Sequence, residues 1–291
     1  MRRSMRRGSV YSAAAVAAAT AAALAPFLYW QQNGLQTSRY TLRHPALPAA
    51  FSGTRILHLS DLHNKRFGPA QQRLAAAVLA CAPHAIVITG DMIDRSVAGM
   101  SAALEAASAA AAEAPVFYVP GNHEGRCLGY ARFAARLQER GVRVLHDEAV
   151  ILRRGDARIA LCGVRDPVFF AGRAPQRLLL FAQTLGRLLH GADAPFRILL
   201  SHRPELFRLY AACGADLTFS GHAHGGQWRL PSGRGVYAPG QGLLPACTCG
   251  LHRRGAAAMA VSRGLGGHAP VPRLHNRPEL VLVTLESEAC P

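Results

Sequence analysis

Five short apolar runs punctuate the chain: Ile56-Leu57-His58-Leu59, Ala85-Ile86-Val87-Ile88, Val116-Phe117-Tyr118-Val119, Ile198-Leu199-Leu200 and Leu217-Thr218-Phe219. Rich in Val and Ile and bounded by Gly, Pro or polar residues, they read as buried strands. Helical stretches separate them through most of the length, which predicts βαβ-type units and the α/β class. Residues 53–287 suffice for one α/β domain with a full core. Residues 31–52 contain Gln, Thr and Pro without strong periodicity and read as a linker into the first strand.

The N-terminus follows a different pattern. Residues 2–7 hold four Arg, and the 21 residues from Val10 to Trp30 carry no charge. That length spans a bilayer core as a helix, and Phe27, Tyr29 and Trp30 close it as an interfacial aromatic belt would. Residues 1–30 are therefore expected to be a signal or a transmembrane anchor. For cleavage, Ala23-Leu24-Ala25 has the small-x-small form, although Pro26 follows it directly. Arginine on the N-terminal side predicts a single N-terminal span, with the catalytic domain outside the cytoplasm.

Charge changes this picture little. The chain carries 33 basic and 17 acidic residues, a formal net charge of +16, and Lys65 is its only lysine. Abundant Arg, Ala, Gly and Pro point to GC-rich coding for much of the surplus. The excess still favours approach of a phosphate-bearing substrate. No Arg stretch is interleaved with aromatics, so no nucleic-acid partner is expected. Seven cysteines at irregular spacings, without Cys-x-x-Cys, leave the compartment open.

Each apolar run is followed closely by polar residues of one chemical kind. They are Asp61-Leu62-His63, Gly90-Asp91, Gly121-Asn122-His123-Glu124, Ser201-His202 and Gly221-His222-Ala223-His224. These lie just beyond strand C-termini, where α/β sheets place their sites. Imidazoles, carboxylates and one amide are the mixture that two divalent metals need, with a carboxylate to bridge them. Asp91, after a glycine, is the candidate bridge. Asp94 reads as a supporting group. His123 is the candidate to face a substrate oxygen and protonate it. Singly, each piece also has a bland reading as a helix cap, a turn Asn or a strand-end His.

All five in order resemble the calcineurin-like metallophosphoesterase superfamily, whose pattern is D-x-H, G-D, G-N-H-[ED], H and G-H-x-H. Later segments, from Gly225-Gly226-Gln227 through Arg277-Pro278-Glu279-Leu280, are similar to its membrane-associated or exported bacterial phosphodiesterase-like branch. The resemblance implies a four-layer α/β/β/α sandwich of two mixed sheets. It also implies Asp61, His63 and His224 on one metal, Asn122, His202 and His222 on the second, Asp91 bridging, and His123 as the substrate-facing acid. Two divalent ions are then the cofactor. Mn²⁺ is favoured by the resemblance, and Zn²⁺ or Fe suits the same oxygen and nitrogen ligands.

The function expected is hydrolysis of a phosphodiester or phosphomonoester by a metal-bridging hydroxide. Arg263 is a candidate to hold a phosphoryl oxygen, against its reading as a surface Arg. Two alternatives stand beside this: a UDP-2,3-diacylglucosamine-type lipid pyrophosphatase acting on a lipid-linked substrate, and a non-catalytic metal-binding membrane module.

Overall fold

The computed structural model describes residues 2–95, 98–267 and 271–288; of side chains, those of residues 2–14, 17 and 21 are left aside, and Cys290 and His268 lie outside the described residues. In chain order, helix α1 (Arg2–Asn33) precedes strands β1 (Gln36–His44), β2 (Arg55–Leu59), β3 (Ala85–Ile88), β4 (Val116–Tyr118) and β5 (Val142–Val144). Then come β6 (Glu148–Arg154), β7 (Ala157–Gly163), β8 (Arg197–Leu200) and β9 (Leu217–Ser220). A small hairpin, β10 (Tyr237–Ala238) and β11 (Gly242–Leu243), leads to β12 (Gly250–Arg254), β13 (Ala257–Val261) and β14 (Glu279–Ser287).

Two six-stranded sheets result, ordered β1-β14-β2-β3-β4-β5 and β12-β13-β9-β8-β7-β6. Both are mixed. In the first, β14 runs parallel to β1 and antiparallel to β2, while β2 to β5 are parallel. In the second, β13, β9, β8 and β7 are parallel, with β12 and β6 antiparallel at the edges.

Strand alternation divides the core. On β8, Ile198 and Leu200 face the space between the sheets, and Leu199 faces outward. On β14, Val281, Val283 and Leu285 point inward, with Leu280 and Leu282 on the opposite side. Helices α2 (Gln72–Leu79), α3 (Met100–Ala111) and α4 (Tyr130–Gln138) cover the outer face of the first sheet through Leu74, Ala103 and Phe133. Helices α5 (Ala174–Gly191) and α6 (Phe207–Ala212) cover the second through Phe181 and Tyr210. Strands buried on both faces read as continuous apolar runs because neither face meets water. The four layers α/β/β/α are those the motif resemblance implies.

One expectation needs correction. Residues 36–44, read as linker, form the edge strand β1, paired parallel with β14 from Gln36–Glu279 to His44–Ser287. Its hydrophobic alternation is thin, Tyr40 and Leu42 among polar neighbours, because one edge and part of one face meet solvent. The N-terminal segment is helical, as a span requires, yet among the described residues no helix is long and apolar enough to cross a membrane. The last turns of α1 instead dock on the domain. Trp30 lies under the Arg277 guanidinium at 4.4 Å, and buried Gln31 accepts the Asn276 N–H at 3.2 Å.

Candidate metal centre

All eight expected residues lie at the C-terminal ends of β2, β3, β4, β8 and β9, where the two sheets meet. Three clusters place potential ligand atoms within 4.8 Å of one another: Asp61, His63 and His224; His63, Asp91 and His123; Asp91, His202 and His222. Asp91 belongs to two of them, between the others. Asn122 joins the third, with Oδ1 3.1 Å from His202 Nε2.

The backbone bends sharply to achieve this. Asp61, His63, Asp91, His222 and His224 all have φ between 47° and 64°, the left-handed region. Non-glycine residues adopt it only where surroundings over-determine it, and such strain collects at functional sites. The flanking glycines make room: a Cβ on Gly121 would overlap the Asp91 carboxylate, and one on Gly221 would overlap Ser60 and Asp61.

Hydrogen bonds then fix each ring. His202 Nδ1 donates to the Thr89 carbonyl at 2.6 Å, so in a neutral ring Nε2 is a lone pair. That lone pair faces two further acceptors, Asp91 Oδ2 at 3.2 Å and Asn122 Oδ1 at 3.1 Å. With the ring neutral, three lone pairs would converge there without a hydrogen, so the position takes either a proton or a metal cation. His63 repeats the arrangement: Nδ1 donates to Asp94 Oδ1 at 2.8 Å, and Nε2 approaches His224 Nε2 at 3.2 Å. Two nitrogens on one tetrahedral ion with bonds near 2.05 Å are about 3.3 Å apart. His222 Nε2 is buried and has no hydrogen-bond partner among the described residues. The residues fit a divalent pair.

Electrostatics agree. Burial alone would raise the Asp91 carboxyl, but His202, His63 and His123 outweigh it and hold it well below the usual range. Burial would lower His202, yet Asp91 and Asp61 push it up to about 10. His222 goes the other way, held well below its ordinary value by burial and by the His202 and Arg203 charges. In the protein alone, a proton on His202 thus provides the positive charge the surrounding carboxylates demand.

His123 stands at the mouth. Its N–H donates to Asp91 Oδ1 at 2.8 Å, its Nδ1 is 3.4 Å from Asp94 Oδ1, and its ring sits edge-on to His63. Together with Arg95, Arg126, Arg203 and His222 it lines an open cleft.

Other side chains support the cluster from outside it. Glu124 is wholly buried, and its carboxylate accepts the N–H groups of Asp91, Gly121, Met92 and Ile93 at 2.8–3.2 Å. It clamps the second motif to the third; its position in G-N-H-E was the available clue. Asn276 holds the His224 carbonyl at 2.7 Å. Arg263 does not reach the cleft: its guanidinium pairs with Glu279 at 2.8 Å. His58, on β2, contacts Thr89 Oγ1 at 2.7 Å and is buried as a neutral ring, lowered to about 3 by burial and then by His202.

Comparison with known proteins identifies the family. The sequence profile described as calcineurin-like phosphoesterase matches residues 54–226, which includes every candidate ligand. The chain is 26% identical over 264 residues to "Uncharacterized metallophosphoesterase YkuE" of Bacillus subtilis, covering 89% of this chain and 88% of that one. It is 29% identical over 238 residues to "Phosphodiesterase YaeI" of Escherichia coli, covering 79% and 82%. A bovine "Transmembrane protein with metallophosphoesterase domain" is 27% identical over 261 residues, covering 83% of this chain and 55% of the relative.

Proposed function

The chain belongs to the calcineurin-like phosphoesterase family and is a phosphoester hydrolase, and from that premise we propose that it hydrolyses phosphodiesters at a binuclear centre. Asp61, His63 and His224 would hold one ion, Asn122, His202 and His222 the other, and Asp91 would bridge them. The observation that carries this reading is the convergence on His202 Nε2 of two further acceptors, with Nδ1 already committed to Thr89. Manganese is the metal we expect, with Zn²⁺ or Fe compatible with the same donors.

When bound, the two ions neutralise phosphoryl oxygens and provide a water nucleophile at neutral pH. The protein's own groups do the rest. Asp94 and the Thr89 carbonyl lock the His63 and His202 rings so that Nε2 faces inward. The Glu124 clamp keeps Asp91 and Asn122 in register. His123, oriented by Asp94 through Nδ1, holds a proton on Nε2 and delivers it to the leaving oxygen. A diester preference is supported by the name of the Escherichia coli relative.

A second reading has its own observation. An almost wholly apolar cavity of ≈ 310 Å³, lined by Ala223, Trp228, Val236, Tyr237 and Val271, shares His224 with the cluster. It suits a hydrocarbon chain and favours a lipid-linked phosphoester, including a UDP-2,3-diacylglucosamine-type pyrophosphate. Membrane association through residues 1–30, with the domain on the extracytoplasmic side, is supported by the transmembrane relative and by the uncharged stretch in α1.

The test is hydrolysis of bis-p-nitrophenyl phosphate and p-nitrophenyl phosphate by full-length protein loaded with Mn²⁺. Diester turnover that requires added metal and disappears in Asp91→Ala, with two ions bound per wild-type chain, is expected. A folded, metal-loaded protein without turnover, or an active Asp91→Ala, overturns the proposal.

A further inference from the structure

Three consecutive residues before β14 each touch α1. The His275 and Phe27 ring centroids are 6.1 Å apart, the Asn276 N–H donates to Gln31 Oε1 at 3.2 Å, and the Arg277 guanidinium lies 4.4 Å from the centre of the Trp30 ring. Phe27, Trp30 and Gln31 stand at i, i+3 and i+4, so one face of the helix makes all three contacts. Gln31 and Asn276 are both buried. From there the Asn276 side chain reaches the metal cluster, its Nδ2 donating to the His224 carbonyl at 2.7 Å and the Gln227 carbonyl at 3.0 Å. Those two residues bound a turn in which all four positions, 224 to 227, have φ between 47° and 80°. Glycine takes that region freely at 225 and 226, whereas His224 and Gln227 hold it only under constraint. Asn276 spans the turn from end to end and supplies such a constraint. A second contact approaches the same metal position from its other side. Lys65, two residues beyond His63, donates from Nζ to the Gln32 carbonyl, and Arg73 donates to the Asn33 carbonyl at 2.9 Å. Carbonyls at a helix C-terminus lack intrahelical partners and favour a cation there. The end of α1 is therefore held between the segments that carry His63 and His224. His202 and Asn122 take their support elsewhere, from the Thr89 carbonyl and the Glu124 clamp.

We propose that Gln31 is a positioning residue of the metal centre: through Asn276 it fixes the turn that carries His224. The ion held by Asp61, His63 and His224 then depends on α1 being docked, while the ion held by Asn122, His202 and His222 does not. The inference rests on the reading of the cluster as a binuclear centre. Its physical basis is that groups orienting a ligand from outside the coordination shell set metal affinity, and that a buried N–H deprived of its acceptor pulls its segment out of place to find another. The N-terminal helix is in this way a component of the site. Withdrawing its last turn from residues 275–277 loosens one metal position and leaves the other intact.

The experiment titrates Mn²⁺ by calorimetry into metal-free full-length wild type, Gln31→Leu and Gln31→Glu, each alone and combined with His224→Ala. Urea unfolding of the same metal-free proteins records global stability, and turnover of bis-p-nitrophenyl phosphate records hydrolysis. In Gln31→Leu one of the two binding events should weaken about three- to tenfold, the worth of one hydrogen bond, with the other unchanged. Gln31→Glu keeps an accepting oxygen at the same reach and should bind both ions as wild type does. In the His224→Ala background the remaining event should not respond to position 31. Two events weakened alike, in step with a lower urea midpoint, would reduce Gln31 to general stability and overturn the proposal. Two unchanged affinities would overturn it as well, and so would a remaining event in His224→Ala that still responds to position 31. Selective weakening in a protein that hydrolyses nothing would refute the hydrolytic reading and uphold the positioning role. A wild type that binds no ion would refute both.

Discussion

Glu124 offers the sharpest test of how the site is built. Its two carboxylate oxygens accept four buried backbone N–H groups: Asp91 and Gly121 on Oε2, Met92 and Ile93 on Oε1. Burial and the neighbouring Asp91 push the carboxyl up to about 7. Four donors leave no acceptor for a carboxyl proton, however, so the geometry demands the ionised form. In Glu124→Gln, one end of the amide presents hydrogens to two of those N–H groups. Two hydrogen bonds to a charged acceptor are then lost, at about 1.5–3 kcal/mol each, or roughly 3–6 kcal/mol in all. Against a typical total of about 5–15 kcal/mol, that is a large fraction. A loss of about 3 kcal/mol corresponds to roughly 6–12 °C in Tm for a domain of this size. Because the orphaned groups belong to the Asp91 and Asn122 segments, metal binding should weaken as well. Urea unfolding of metal-free protein measures the first effect, and titration with Mn²⁺ the second. A variant within about 1 kcal/mol of wild type, binding metal normally, would refute the clamp.

Other substitutions separate roles. His123→Ala should keep both ions but lose about 10²–10⁴-fold in turnover; loss of metal instead would remove it from the acid role. Asp91→Ala should strip or disorder both ions, read by metal content in the purified protein. His58 should make the fold acid-sensitive, since burial keeps its ring neutral down to about pH 3. The unfolded chain takes up a proton near pH 6.5 that the folded one refuses, so stability is retained above that value and falls below it by about 1.4 kcal/mol per pH unit. His58→Leu should flatten that slope between about pH 6.5 and 4 in denaturant titrations; an unchanged slope would assign the acid sensitivity elsewhere.

What could be read from the chain and what could not divide along a physical line. Strands β2, β3, β4, β8 and β9 declare themselves because burial on both faces forces continuous apolar runs, and those runs need nothing distant to be recognised. The motif residues are legible for the same local reason: each follows its strand within a few positions. Strand β1 is not, because what makes it a strand is pairing with β14, more than 240 residues away. A half-exposed edge imposes little alternation on its own sequence. Asn276 is hidden in the same way, since its partner is the His224 carbonyl of another segment, and Glu124, legible as the last residue of G-N-H-E, clamps N–H groups that the motif does not announce. Arg263 shows the converse error, a cation near the site in sequence whose partner is Glu279. Chemistry carried by consecutive residues at a strand end can thus be read from order and spacing. Whatever orients it must be read from contacts, as must the Asp94 carboxylate and the Thr89 carbonyl that aim the His63 and His202 rings.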